Sequence, residues 1–419
     1  MQIWFENQVV ADLIPHMRGA QLRYRKDWVR LKGAFPVSTK MPLSAAIYEP
    51  DIVVPWIVAL LPEEQNLAVI SQITGTSASD LLGILHRIGR DTSGALSFEK
   101  RSFGGVQTKD VSDEAVLEQI INELPRKPFL VGEEGVSMSL AGVQNKIGVF
   151  RHEDGKLGIP VNGTPSTWIL KPDSDRLYGS VWNEAFCMLL AKNCGLDTPE
   201  IRVGRAGKRR YILIKRYDRI VHRESGRIRR LHQEDFTQAA GLFTSRKYEK
   251  NGSGLPGLKI SDIIEIIRNV MHKQSILEIP KFISYLIFNT IACNTDAHAK
   301  NYSFIISASR VVMTPIYDVM CAKPYPNITK YMANTIADKR EGDYLQGRHW
   351  QREAKACGLS PSIMLKSVET LCNRVLKELD KTYNELVAMD AEGTEMAWEC
   401  GGYIRDRAKS LLNGLKEKE

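Results

Sequence analysis

The patterning of this chain predicts an α+β fold with two lobes, a small β-rich one followed by an all-α one, preceded by an extra α/β subdomain. Three observations carry that prediction. Short β-like runs separated by Gly-, Asp- and Pro-bearing turns fill residues 126–240, and apolar residues spaced three and four apart dominate everything after Gly241. The first 125 residues open with apolar and polar residues in alternation and then turn helical. At 419 residues, with 43% hydrophobic and 25% charged, the chain has the globular composition and the length to bury two or three cores.

In residues 1–125 the early alternation suits a small sheet, and helical periodicity follows at 52–61 and 78–88; no catalytic cluster occurs there. In the second segment the runs IGVF (147–150), STWIL (166–170) and RRYILIKRY (209–217) read as strands. One helix interrupts them, near 182–194, and stops at Gly195 with Pro199 beyond. Gln233-Glu234-Asp235 reads as a helix-capping segment. The third segment, 241–419, shows helical periodicity in SDIIEIIRNVM, in FISYLIFNTIA and over 363–386, where Leu365, Val368, Cys372, Val375 and Leu379 recur. A β-rich lobe, a helical lobe and a cleft between them is the coarse plan of protein kinases.

Charge and cysteine usage bound the setting. Fifty-seven Lys and Arg against 49 Asp and Glu leave +8, which suits an acidic partner, a nucleic acid or a nucleotide polyphosphate without choosing among them. The densest basic runs, Lys208-Arg209-Arg210 and residues 223–230, read as solvated faces or hairpin tips. The seven cysteines form no CxxC pair and lie in apolar helical patterns, as reduced, buried residues do. Glu6 and Asp12 interrupt the start where a signal peptide needs a basic, then apolar, stretch, and no run reaches membrane-spanning length; the cytoplasm is the expected compartment, with no membrane partner.

Phosphoryl transfer asks a protein mainly for positioning, charge neutralisation by Mg²⁺ and a group to take the incoming hydroxyl's proton. Asp296 and Asn301 stand five apart in NTDAHAKN, directly after an apolar helix, in the order of a kinase catalytic loop. Asp296 would be the base and Asn301 a Mg²⁺ ligand. Alone, Asn294, Asp296 and Asn301 could equally be turn formers. The next apolar runs, YSFII and VVMTPIYDVM, suggest two strands that bring Asp318 back as a second metal ligand. Lys171 leaves the strand STWIL toward the phosphates, and Glu184 in the following helix is either its partner or an acid favoured by the helix N-terminus. The segment 139–146, SLAGVQNK, has small residues that let backbone amides approach a phosphate; a plain hairpin turn is the competing reading. His298 has no His or Cys at ligand spacing and reads as a loop organiser.

These motifs together resemble the HipA family of Ser/Thr protein kinases, the toxin half of bacterial toxin–antitoxin pairs. The matching segments are SLAGVQNK, WILKPD, NEAFCMLLAKNCGL, KRYDR, LHQEDFTQAAG, KYEKNGSGLPG, NTDAHAKNYSFI, MTPIYDVM and KYMANTIADK, spanning about 138–337. The resemblance implies a bilobal fold binding Mg²⁺·ATP between its lobes, with Asp296 as base, Asn301 and Asp318 on Mg²⁺ and Lys171 on the ATP phosphates. It also puts Val143, Gln144, Asn145 and Lys146 in the phosphate-covering loop, with Lys215, Arg216 and Tyr217 on the hinge that receives adenine and His298 beside the nucleotide. Ser139, or else Ser137, matches the serine that family members autophosphorylate to disable themselves. The hinge departs from the family's usual Glu-Arg-Phe-Asp-Arg, and the loop has Val143 and Asn145 where Ala and Glu are frequent. Family members phosphorylate a cytosolic protein, in studied cases an aminoacyl-tRNA synthetase, and arrest growth. Their usual partner is a HipB-like helix-turn-helix antitoxin, through which they meet DNA. The alternative expectation is a catalytically weak co-repressor subunit of an antitoxin–DNA complex.

Overall fold

The structure, a computed structural model, describes residues 1–100, 105–222 and 226–416; the first residues of the basic run 223–230 lie outside these. Its first element is an antiparallel meander of four strands, Gln2–Phe5, Gln8–His16, Gly19–Tyr24 and Ile47–Tyr48. Alternate residues, Ala11 and Leu13 on the second strand and Ala20 and Leu22 on the third, turn inward and are buried. The helix Pro50–Leu60 lies on the third strand and buries Val53, Trp56 and Ile57. Gly19 is required at that contact: its φ is +119°, and a Cβ would stand 2.6 Å from Val54 Cγ2.

An antiparallel six-stranded sheet follows, in the order Ile201–Ala206, Arg209–Lys215, Trp168–Pro172, Ile147–Arg151, Leu157–Pro160, Thr108–Asp110. The outermost strand, 108–110, and the helix Glu114–Glu123, capped by Asp113, precede residue 126, yet they build onto this sheet rather than onto the meander. The helix Ser180–Asn193 is buried from Ser180 to Ala191. One side of it packs on the sheet and the other on the helices Pro361–Met389 and Glu395–Gly414, so a single apolar helix joins the two lobes.

The second lobe holds the helices Ile260–Met271, Ser275–Ile291, Gly347–Ala356, Pro361–Met389 and Glu395–Gly414. It is not all-α as expected. The strands His232–Asp235, Ser303–Ile306 and Val311–Met313 form one antiparallel sheet, and Tyr331–Ile336 pairs with Lys339–Glu341 in another. Ser303–Ile306 and Val311–Met313 are the two strands that YSFII and VVM suggest, whereas Tyr331–Ile336 and Lys339–Glu341 are too short for alternation to stand out against the surrounding helical periodicity. Asp235 caps the helix Phe236–Ala240 in a capping box with Gln238, as the segment's composition suggests. All seven cysteines are buried and none is in a disulfide. Among the described residues no single helix is long and apolar enough to cross a membrane.

Candidate active site

Lys171 sits in the strand Trp168–Pro172, flanked on both sides by other strands. The pleat turns Ile169 and Lys171 into a cavity of about 1000 Å³ between the lobes, while Leu170 faces the opposite core. Lys171 Nζ donates to Glu184 Oε1 at 2.7 Å and to Asp318 Oδ1 at 2.6 Å. Burial works against its charge, but Asp318 and Glu184 hold the ammonium above its ordinary pKa. Burial likewise opposes ionisation of Asp318, and Lys171 and Lys146 overcome it, keeping that carboxyl well below the usual carboxylate range. Glu184 is therefore Lys171's partner in this structure.

The loop bearing Asp296 begins where the helix Ser275–Ile291 ends, with Cys293 in the left-handed region. Asn294 donates to Asn289 Oδ1 at 2.8 Å and to the Asp318 carbonyl at 3.4 Å, while its own Oδ1 accepts the Asp296 amide at 3.0 Å. Asn301 Nδ2 closes the loop on the Asp296 carbonyl at 2.7 Å. The turn-forming and chemical readings thus both apply: the asparagines hold the backbone, and the Asp296 side chain stays 62% exposed to the cleft. Surrounding protein pushes its pKa up to about 6; the Tyr248 hydroxyl pulls it down and Asp318 pushes it up. Asp318 has φ +59°, a conformation that Asp tolerates better than most residues, and that turn places its carbonyl on Asn294. His298 packs edge-on against Tyr248, and burial, helped by Lys247 and Lys300, lowers its pKa to about 3, so it is a neutral spacer in the loop.

Val143, Gln144, Asn145 and Lys146 line the same cavity, and Val143 is 60% exposed there. Lys146 Nζ folds back onto the Ala141 carbonyl at 2.8 Å. Burial and the charge of Lys171 lower its pKa to about 8. Gly142 makes that turn at φ +104°, and a Cβ would stand 2.7 Å from the ammonium. Lys215, Arg216 and Tyr217 reach the cavity wall, but the Arg216 guanidinium turns away into the interior, onto Asp218, Ser166 and the Thr92 carbonyl. Ser139 is wholly buried, pairs in a two-residue parallel ladder with Thr92, and donates to the Leu60 carbonyl at 2.7 Å. Ser137 is partly exposed, and its Oγ accepts the Arg90 amide at 3.2 Å. Neither serine lines the cavity.

Four contributors escape the sequence reading. Tyr317, beside Asp318, lies 5.8 Å from Tyr217 ring to ring, making an aromatic pair at the hinge. Its place next to Asp318 was the available signal. Tyr248 donates to Asp296 Oδ1. Lys247 pairs with Glu63 at 2.5 Å, and Lys300 donates to the Ala59 carbonyl at 3.0 Å and to Asp235 at 3.1 Å. Of these, the bonds to Glu63 and Ala59 cross more than 180 residues of sequence, beyond the reach of any local pattern.

A divalent ion would find hard oxygen ligands here. Lys171 engages Asp318 Oδ1, and Asn301 uses its Nδ2 on the Asp296 carbonyl, which leaves Asp318 Oδ2 and Asn301 Oδ1 without a hydrogen bond among the described residues. Two protein oxygens with phosphate and water completing the shell is the habit of Mg²⁺.

The geometry can be set beside known proteins. A model described as the HipA N-terminal domain matches residues 1–99, and one described as the HipA-like C-terminal domain matches residues 138–379. Over 399 residues, 91% of this chain and 93% of the relative, it is 30% identical to Y4mE of Sinorhizobium fredii, which is named as a candidate kinase. It is 27% identical over 412 residues to the serine/threonine-protein kinase toxin HipA of Shewanella oneidensis, covering 94% of this chain and 92% of that one. A solved HipA from the same organism, in complex with HipB and operator DNA, superposes with a TM-score of 0.85 at 22% identity, covering 98% and 97% of the two chains, a likeness of fold. With a C-terminal match that spans the cleft from the covering loop through Asp318, and a relative 30% identical along nine-tenths of its length, this chain belongs to the HipA family.

Proposed function

We propose that the chain is a Mg²⁺- and ATP-dependent protein serine/threonine kinase. The observation that carries this is Lys171, buried and bridged to Glu184 and Asp318 in the cavity that also receives Asp296 and Asn301. ATP would lie between the lobes with its base near Tyr217 and Tyr317 and its phosphates beneath residues 143–146. Lys171 neutralises phosphate charge, and Lys146 can leave the Ala141 carbonyl to do the same. Mg²⁺ on Asn301 and Asp318 would supply further charge neutralisation across the phosphates. Asp296 takes the acceptor's proton on a carboxylate oxygen as the acceptor oxygen bonds to the γ-phosphorus and the bond to ADP breaks. The work divides by segment: residues 1 to about 125 brace the cleft, 126–240 carry the nucleotide, and 241–419 carry base and metal ligands.

The acceptors proposed are a cytosolic protein, an aminoacyl-tRNA synthetase being the first to assay, and the chain's own Ser139. A phosphate on Ser139 cannot donate to the Leu60 carbonyl and brings about two negative charges into a buried site, so it would push the covering loop out. A HipB-like antitoxin is the proposed partner, supported by the fold neighbour solved with HipB and operator DNA, and the cytoplasm the proposed compartment. The test is Asp296→Asn: phosphate transfer from labelled ATP and growth arrest on expression should both disappear. Retention of both would refute the role of Asp296. Failure of ATP with Mg²⁺ to shift the melting of the unmodified chain would favour a non-catalytic co-repressor.

A further inference from the structure

Lys247, Tyr248 and Glu249 are three consecutive residues that reach three different parts of the molecule. Lys247 Nζ pairs with Glu63 of the N-terminal segment, and its carbonyl accepts the Ala299 amide at 3.0 Å. Glu249 accepts the Thr335 amide at 2.6 Å and the Thr335 hydroxyl at 2.8 Å, and its amide donates to the Ala333 carbonyl at 3.2 Å. Between them, Tyr248 donates to Asp296 Oδ1.

The backbone of Tyr248 is held as firmly as its neighbours' side chains. Asn251 Nδ2 donates to the Tyr248 carbonyl at 2.9 Å, and Gly257 closes over the same oxygen so tightly that a Cβ would stand 2.1 Å away. Its ring meets the His298 imidazole edge-on at 5.0 Å. The phenol is therefore aimed at Asp296. Among the described residues no hydrogen bond reaches Asp296 Oδ2, and the exposed side chain lines the cleft.

We infer that Tyr248 is a positioning residue for Asp296, its hydroxyl locking one carboxylate oxygen so that the other is presented to an acceptor hydroxyl. The inference rests on the kinase reading above. A carboxylate tethered only through its backbone can rotate about its side-chain torsions, and each misdirected rotamer removes the base from line with the acceptor. A hydrogen bond to a charged group restrains that rotation. The neighbouring pairs, Lys247 with Glu63 and Glu249 with Thr335, keep the tyrosine from following the carboxylate if it turns.

The test compares wild-type full chain, Tyr248→Phe and Asp296→Asn with γ-labelled Mg·ATP, reading incorporation into the chain and release of phosphate to water together. Phenylalanine keeps the ring against His298 and removes the hydroxyl alone. The expected result is a fall in kcat of about tenfold or more with KM for ATP and the ATP-induced melting shift unchanged. Rates within twofold of wild type, with Asp296→Asn inactive, overturn the positioning role and leave the base in place. A faster Tyr248→Phe also overturns it, since the hydroxyl would then be competing with the acceptor. A kcat loss accompanied by an equal rise in KM for ATP overturns it as well, because that marks a loosened cleft. An Asp296→Asn variant as active as wild type instead refutes the underlying kinase reading.

Discussion

Asp91 offers the sharpest test of how the N-terminal segment is fastened to the lobe behind the hinge. Its Oδ1 meets Arg219 at 3.0 Å and Arg230 at 3.1 Å; its Oδ2 meets Arg216 at 3.4 Å and accepts from the Ser166 amide at 2.9 Å and hydroxyl at 2.6 Å. Asp218 is the second carboxylate in the cluster, bound to Arg216 and Arg219, so three buried guanidiniums face two buried carboxylates. Burial opposes the charge of Asp91, yet the three arginines hold it ionised far below the usual range, so near neutral pH its contribution is present in full. Asp91→Asn removes that charge at nearly constant volume, leaves one carboxylate for three cations, and turns an NH₂ toward either Ser166 or an arginine. Breaking a buried ion pair on one side costs about 3–5 kcal/mol. Urea unfolding at neutral pH should show a loss of that size, with the early part of the transition reporting separation of residues 1–100 from the hinge. A variant within about 1 kcal/mol of wild type would refute the idea that this charge balance holds the two together.

Other consequences can be checked in parallel. Lys171→Met should abolish labelled-phosphate transfer and sharply reduce the ATP-induced melting shift, because it strands Glu184 and Asp318 as neighbouring carboxylates. Ser139→Asp should prevent ATP from raising the melting temperature, whereas Ser139→Ala, which only leaves the Leu60 carbonyl unpaired, should keep ATP binding at a cost of about 1 kcal/mol in stability. Burial raises the pKa of Glu234 from 4.5 to about 7, against the pull of Ser38 and Thr39. The folded state then binds the extra proton between those values. The group's contribution is intact below pH 4.5, falls as pH rises, and is lost above about 7, a span worth about 3 kcal/mol. The stability difference between wild type and Glu234→Gln should therefore shrink or reverse over that window; a pH-independent difference would contradict it.

What could be read from the chain, and what could not, follows the distance over which each feature is encoded. Asp296 and Asn301 share one loop and Asp318 returns on the next hairpin, so a window of some twenty-five residues contains their whole relation. Lys171 and Glu184 are thirteen residues apart, a strand and a helix turn. The long helices announce themselves by repetition, and the helix starting at Ser180 ends beside Gly195, as its terminal signals say. The strand 108–110 is too short to show alternation, which is why its membership of the six-stranded sheet was hidden. Tyr248 stands in KYEKNGSGLPG, one of the segments that carry the resemblance, but its contact is non-local: folding brings a carboxylate 48 residues away up to its hydroxyl. The burial of Ser139 is likewise non-local, fixed by a ladder to residues 91–92 and a carbonyl 79 residues upstream.

The short corner at Ala59 and Leu60 has a further consequence for how the protein can be divided. Two successive carbonyls at the end of one helix receive the hydroxyl of Ser139, just ahead of the loop 143–146, and the ammonium of Lys300 from the loop bearing Asp296. A chain started at residue 126 would leave both donors facing water, strip Glu63 from Lys247, and open a wall of the cleft between the lobes. The first hundred residues are in this sense a keystone: a proteolytic cut ahead of the β-rich lobe spares every residue proposed to perform chemistry and still takes the cleft apart.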